Sequence, residues 1–414
     1  MPKKMLISTI GSRGEVQPVI ALASELRALG HQAVLCVPPT FKEWVESFGI
    51  PFVPLGPDVK MFVAASSQPK RKKPSQDMMR KLVRDSVVEQ FAVTTAAAKE
   101  CDLILTAGDL QHAGKSIAES MRIPHVHATY CPVTLRSTEN TPPNLSRWVR
   151  SQRWPGLVKR ALWRLSDMRW NALYRDVLNE QRAELGLSPI HQVPSYIANQ
   201  KSLIAADSLL APAPTMDGAK LFQTGAWLLH DRRPLPDDLE SFLAAGDPPI
   251  YFGFGSMGAK QQTSRLLIEA ARALGYRALI SQGWGNLAVT DSGDDCFAAG
   301  DVSHEKLFPR VAAIVHHGGA GTTTAAARSG KPQVIVPHLY DQHYWAHRVQ
   351  QLGIGVSAGL VEKLSSERLV DALRKSLRPE RVERAKAVAT RIESHGATVA
   401  AERLSEMARF SSAP

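Results

Sequence analysis

Cysteine is scarce in this chain. Cys36, Cys101, Cys131 and Cys296 are scattered through 414 positions, with no CxxC pair and no histidine at metal-ligand spacing. That pattern excludes a disulfide framework and a zinc site and leaves reduced core thiols. Long apolar runs are missing too. Nothing approaches the roughly 18 residues that cross a bilayer, and Met1-Pro-Lys-Lys leads into a strand-like stretch rather than a signal-peptide core. A cytoplasmic protein is expected. No low-complexity tract is present, and 44% hydrophobic with 21% charged residues is the composition of a folded chain. One compact core does not suffice at this length, so two domains are expected.

Acidic residues fall short in the first half. Residues 1–211 carry 27 Lys and Arg against 18 Asp and Glu, whereas the remainder carries 23 against 21, within a net charge of +11. Part of the excess is "QPKRKKPSQDMMRK", Gln68 to Lys81, which reads as a solvated loop rather than a phosphate patch or import signal. Another part is Trp148 to Trp170, where four tryptophans alternate with arginines and Lys159. Such a stretch suits a membrane interface or nucleic acid. Leu162, Leu165, Met168 and Trp170 also suit a helix packed on its own domain, which is the favoured reading. The acidic cluster "DSGDD", Asp291 to Asp295, reads as another solvated loop and not as a metal site.

Strand, turn and helix patterns alternate along the chain. Met5 to Ile10 reads as a strand. Val19, Leu22, Leu26 and Leu29 then recur at helical spacing, with Pro18 at the opening and Gly30 past the end. Further strands are expected at Ala33 to Val37, Pro51 to Leu55, "CDLILTAG" and "PHVHATY". The alternation resumes after Pro249 with "PIYFGF", "RALIS", "CFAAG", "AAIVHH" and "QVIVP". This is the pattern of an α/β protein with two doubly wound parallel sheets, whose ligands gather at the carboxyl ends of the strands. The expected division is 1–211, a Pro-rich connection over 212–248 without sustained period, a second domain over 249–375, and helices over 376–414 returning to the first domain.

The segment from Val311 to Gly355 holds the most chemistry. A strand delivers His316 and His317 to its end, and Gly318, Gly319 and Gly321 allow a tight turn before a helix near Thr322. Unpaired N–H groups at a helix start favour an anion, and Thr322 and His317 add donors. No P-loop lysine follows, so ATP hydrolysis is not supported. Asp341-Gln342 after the next strand offers a carboxylate and an amide to sugar hydroxyls. In the first half, "GSRGEVQP" places Glu15 at a strand-to-helix turn. It is either a helix-start acid or a general base. Asp109 and His112, in "TAGDLQHAG", either orient or replace that base, or cap the following helix.

The ordered series "GSRGEVQPVIALA", "PPIYFGFGSMG", "SQGWGNL", "HEKLFPRVAAIVHHGGAGTT" and Asp341-Gln342 closely resembles the family 1 glycosyltransferases of the GT-B fold. Within that family the resemblance is in particular to bacterial antibiotic glycosyltransferases and sterol glucosyltransferases, and it spans nearly the whole chain. It implies two Rossmann-like domains facing each other across a cleft, the first binding the acceptor. Ser256 would contact the distal phosphate, Val302 and His304 would border the nucleoside, and Trp284 would lie near the base. His317, Gly319, Ala320, Gly321 and Thr322 would hold the diphosphate, Asp341 and Gln342 the sugar, and Ser12 and Arg13 would approach the donor. Glu15 stands where relatives carry aspartate or histidine as the base. Val59 to Arg80 and Tyr130 to Pro155 would line the acceptor pocket.

The expected activity is therefore inverting, metal-independent transfer of a sugar to a hydroxyl of a lipophilic natural product, antibiotic or sterol. UDP-glucose is the expected co-substrate, dTDP-deoxysugars are the rival, and no cofactor is expected. A sugar-nucleotide epimerase is the alternative enzyme, against which the apolar "ATYCPVTL" region argues. A non-enzymatic nucleotide- or nucleic-acid-binding protein is the other alternative, but no fold-specific nucleic-acid motif is present and no nucleic-acid partner is expected. Peripheral membrane contact and either a monomer or a homodimer stay open.

Overall fold

The computed structural model describes residues 1–59, 75–143, 152–197, 202–215, 221–231, 233–254, 261–283 and 293–410. It contains two compact units. Unit one takes Met1–Ser208, Pro212–Leu229 and the chain from Glu393 on; unit two takes Leu209–Ala211 and His230–Ile392.

Unit one is built on seven parallel strands, β1 (Lys4–Thr9), β2 (Gln32–Val37), β3 (Phe52–Pro54), β4 (Leu103–Ala107), β5 (His125–Thr129), β6 (Ser202–Ile204) and β7 (Phe222–Gln223), in the order 3-2-1-4-5-6-7. Met5 pairs with Ala33 on one side and Leu103 on the other. Met5, Leu6 and Ile7 are fully buried, as both faces of a helix-covered parallel sheet require. Strand order reverses between β1 and β4, so the crevice beyond their carboxyl ends is where a doubly wound sheet takes its ligand. The last helix, Gly396–Phe410, packs on the first helix, Arg13–Ala28, with Thr398 Oγ1 donating to Glu25 Oε2 at 3.0 Å.

Unit two repeats the plan with β8 (Ile250–Gly253), β9 (Ala278–Ser281), β10 (Cys296–Ala299), β11 (Ala313–His316), β12 (Gln333–Ile335) and β13 (Gly355–Ser357), in the order 10-9-8-11-12-13. Its reversal lies between β8 and β11, where Tyr251 pairs with Ile314 and Gly253 with His316. Phe252, Val315 and Val334 fill the core on one face, Tyr251, Leu279 and Ile314 on the other. Arg348 ties Leu209 and Leu210 to this unit by donating to their carbonyls at 2.9 and 2.8 Å.

Several local expectations are corrected. The first helix opens at Arg13, so Pro18 lies inside it. The N–H that Pro18 lacks would have met the carbonyl of Gly14, an exposed residue open to water. Residues 76–81 of the basic run are not loop but the start of the helix Gln76–Ala97, capped by Ser75 and anchored by Val83, Val87 and Phe91; residues 68–74 lie outside the described residues. The connection after Ala211 contains β7 at the sheet edge and a helix, Asp237–Ala244, that buries Leu239 and Leu243. Both are too short for a period to show among the prolines. Trp163 is buried in the helix Gly156–Glu184, but Leu165 and Met168 face outward rather than packing; Trp148 lies outside the described residues.

Candidate active site

At the first reversal, β1 runs out through Gly11 into the helix that Ser12 caps. Glu15 stands at the third helical position and closes a capping box. Its Oε2 accepts from the Ser12 backbone N–H at 2.7 Å and from Ser12 Oγ at 2.8 Å. Neither bond falls on Oε1. The same carboxylate occupies the space where a side chain at Gly11 would begin, since a Cβ there would lie 2.8 Å from Glu15 Cδ and Oε2. Tyr130 steadies the backbone by donating its hydroxyl to the Glu15 carbonyl at 2.9 Å. Burial pushes the Glu15 pKa up, against the Ser12 bonds that pull it down, and the nearby Asp109 adds to the rise. Asp109 follows the end of β4 beside β1, so the sheet brings these two carboxyls together.

Three other expected residues have different surroundings. Ser12 directs both its N–H and its hydroxyl to Glu15. Arg13 lays its guanidinium over Trp44, 4.6 Å from the ring centroid. His112 is buried and stacked on Tyr174 at 4.1 Å between centroids, with Trp170 on Tyr174 at 4.9 Å. Burial lowers its pKa to about 3, which makes it a poor base at neutral pH.

At the second reversal β11 ends in His316, and the helix Ala320–Arg328 starts from Gly319 with no side-chain cap. Among the described residues the first-turn amides of Ala320, Gly321 and Thr322 therefore keep their N–H groups for another acceptor. Thr323 and Thr324 turn their hydroxyls back onto the carbonyls of Gly319 and Ala320, both at 2.9 Å. Thr322 makes no such bond among the described residues. His317 lies against this turn: a Cβ at Gly319 would come within 2.5 Å of its Nε2. Burial and the neighbouring His316 and His338 rings lower its pKa to about 3, so at neutral pH it offers one N–H and no charge. Gly318 adopts φ +91°, and a Cβ there would lie 2.7 Å from Ile335 Cγ2. Gly321 differs, because among the described residues a Cβ there would meet nothing within 4 Å beyond its own helix backbone and chain neighbours.

The sequence named His316 at the strand end but not its role beneath the turn. His316 Nδ1 accepts from the Gly318 N–H at 3.1 Å and its Nε2 faces Gln333 Oε1 at 2.9 Å. The first bond makes Nδ1 the acceptor, so Nε2 carries the proton. The only signal was the HH pair at a strand end, which does not say which ring faces inward.

Asp341 and Gln342 open the helix Gln342–Gln351 beyond β12. Gln342 Oε1 accepts from the His338 and Leu339 N–H groups at 2.7 and 3.2 Å, leaving its amide N–H groups as the outward polar function. Asp341 Oδ2 accepts from Trp345 Nε1 at 3.1 Å. Tyr340, just before them, sits at φ +56°, a left-handed conformation that is strained for a bulky residue. His304 stacks on Phe308 at 4.3 Å and Val302 packs partly into the core. Ser256 and Trp284 lie outside the described residues.

Comparison with known proteins covers both units. The profile described as "Glycosyltransferase family 28 N-terminal domain" matches residues 5–137, and "Erythromycin biosynthesis protein CIII-like, C-terminal domain" matches residues 293–407. The vancomycin aglycone glucosyltransferase of Amycolatopsis orientalis is 40% identical over 405 residues, 97% of each chain. The dTDP-epi-vancosaminyltransferase of the same organism is 38% identical over 386 residues, 91% of this chain and 90% of that one. Among solved structures, the calicheamicin glycosyltransferase CalG4 matches with a TM-score of 0.72 at 19% identity, covering 100% of both chains. With two doubly wound units in the order that fold requires and relatives alike from end to end, the chain belongs to the natural-product glycosyltransferases of the GT-B fold.

Proposed function

We propose that this glycosyltransferase inverts at the anomeric carbon, carrying glucose from UDP-glucose to a hydroxyl of a lipophilic natural-product aglycone without a metal ion. The observation that carries the reading is the opposite equipment of the two reversal points: a carboxylate with raised pKa in unit one, and an uncapped helix start with a neutral histidine in unit two. Glu15 Oε1 takes the proton of the acceptor hydroxyl as its oxygen bonds to the anomeric carbon, and the bond from that carbon to the diphosphate oxygen breaks. Charge developing on the diphosphate is met by the amides of Ala320, Gly321 and Thr322, the Thr322 hydroxyl and a ring N–H of His317. Those donors are the support for a metal-independent reaction. Asp341 and the Gln342 amide hold sugar hydroxyls; burial keeps the Glu15 pKa high, and Asp109 adds to the rise. Ser12 acts through Glu15, while Arg13, Ser256, Trp284, Val302 and His304 serve the donor.

The relative whose name is vancomycin aglycone glucosyltransferase supports glucose and a bulky aglycone, while the dTDP-epi-vancosaminyltransferase supports the dTDP rival. A panel of UDP-glucose and dTDP-glucose against glycopeptide, macrolide, phenol and sterol acceptors separates the readings. Expected are UDP release only with an acceptor present, and a β-glucoside from the α-linked donor. An α-glucoside product overturns the inverting mechanism, preference for the dTDP donor overturns the donor, and sugar isomerisation without an acceptor points to the epimerase.

A further inference from the structure

We propose that the outward face of the helix Gly156–Glu184 docks unit one on an anionic lipid surface. This helix has two apolar faces. One holds Trp163, Val177 and Leu178 in the core. The other holds Leu157, Ala161, Leu165, Met168 and Ala172, all exposed, with Leu157 at 75% and Met168 at 66%. Spacings of four, four, three and four residues confine these five to about 80° of arc, roughly opposite the buried side, along about 22 Å of helix. Single exposed apolar residues are ordinary, but a continuous stripe of this length marks a contact surface.

Charge identifies what it meets. At the same angular reckoning, Arg160 and Arg164 border the stripe on one side and Arg169 on the other. All three are exposed, and none has an ion-pair or hydrogen-bond partner among the described residues. The only acid between residues 152 and 173 is Asp167, and Arg136 already holds it at 2.7 Å. Trp154, just ahead of the helix, is 42% exposed. An anionic bilayer uses both features: the apolar row enters the headgroup and acyl boundary, while the guanidinium groups reach lipid phosphates. Nucleic acid would use the arginines and leave the apolar row in water. A twofold contact with a second copy would set this positive border against itself. A lipid surface is also where a lipophilic acceptor collects; that consequence rests on the proposed reaction, whereas the contact does not.

The test is sedimentation of the full chain with vesicles of phosphatidylcholine alone or with one third phosphatidylglycerol. Partition onto the anionic vesicles should be at least about tenfold stronger and should fall as salt is raised. Leu165→Glu with Met168→Glu, and separately Arg160→Gln with Arg164→Gln, should each lower it by roughly tenfold, with turnover of a water-soluble acceptor unchanged. The arginine pair keeps the test decisive if the glutamate pair fails to fold. Equal partition onto both vesicles, or partition that neither pair changes, overturns the proposal. So does failure of the wild type to bind vesicles, whether it then dimerises in a manner abolished by Leu165→Glu or retains DNA in low salt.

Discussion

Each unit sends a strand through a glycine-bearing turn into a helix, yet only one of the two helices is capped by its own side chains. In unit one, Ser12 and Glu15 close the helix start on itself. In unit two, Gly319 brings no side chain and the amides stay open. Two copies of one fold thus diverge at the level of who satisfies the first helical N–H groups. A capped start spends N–H groups on its own side chains, and its capping acid stands at the crevice with both Ser12 bonds on one oxygen. An uncapped start favours an anion, and this one has no acid in its first turn. The two readings of Glu15 are therefore compatible: the residue that closes the helix start is also the one proposed as the base.

The largest break in this comparison is Glu15→Gln. Glutamine keeps an oxygen to accept both Ser12 bonds, so the capping box stays and only the proton acceptor is lost. Turnover should fall by about 10²- to 10⁴-fold, with UDP affinity by titration calorimetry unchanged. Stability should move the other way. The folded pKa of Glu15 lies above the unfolded value, so protonated Glu15 is favoured in the fold and stability is lost as pH rises through the interval between them. Neutral glutamine escapes that loss, and Tm at neutral pH should hold or rise. The acid limb of kcat/KM should lie above the ordinary carboxylate range and vanish in the variant. Wild-type turnover in Glu15→Gln would leave only the cap.

Thr322→Val breaks the other side with a smaller effect. Its hydroxyl is the only one of three consecutive threonines that is not turned onto a backbone carbonyl. A hydrogen bond to a charged group contributes about 1.5–3 kcal/mol, so UDP binding should weaken by roughly ten- to a hundredfold. Thr323→Val removes a hydroxyl bonded to Gly319 O and should leave UDP affinity alone. Equal losses in the two variants would show that the turn acts through its backbone shape alone.

The sheets, their parallel sense and the residues at both reversals were legible because buried parallel strands are continuous apolar runs ending in turns. Less legible was anything decided by a short element among prolines, such as Phe222–Gln223 or Asp237–Ala244. Helix starts were read late: Pro18 and Thr322 looked like openings because hydrophobic period, not capping, set the reading, while Arg13 and Ala320 open the helices. Ser12-x-x-Glu15 is itself a capping-box sequence and would have placed the first start. It also suits glutamate at position 15, since the box asks for the longer acid. The roles within the pairs His316-His317 and Thr322-Thr323-Thr324 were not legible, because identical side chains are told apart only by which direction the backbone turns them.

Gly321→Ala should give the smallest effect and separates fold from ligand most sharply. Gly318 is required by its positive φ and Gly319 by the His317 ring, but Gly321 is helical and a methyl there meets, among the described residues, nothing within 4 Å beyond its own helix backbone and chain neighbours. On the fold alone, alanine should be the better residue by up to about 1 kcal/mol, raising Tm by roughly 2–4 °C. If the space beside Gly321 admits a diphosphate oxygen, the same methyl should weaken UDP binding several-fold, so that the variant is more stable without ligand and gains less from UDP in a thermal-shift series. Unchanged affinity would mean that the anion sits elsewhere along the turn. Lowered stability would mean that the first turn is not held as the uncapped helix requires, and the contrast with the Ser12–Glu15 start would lose its footing.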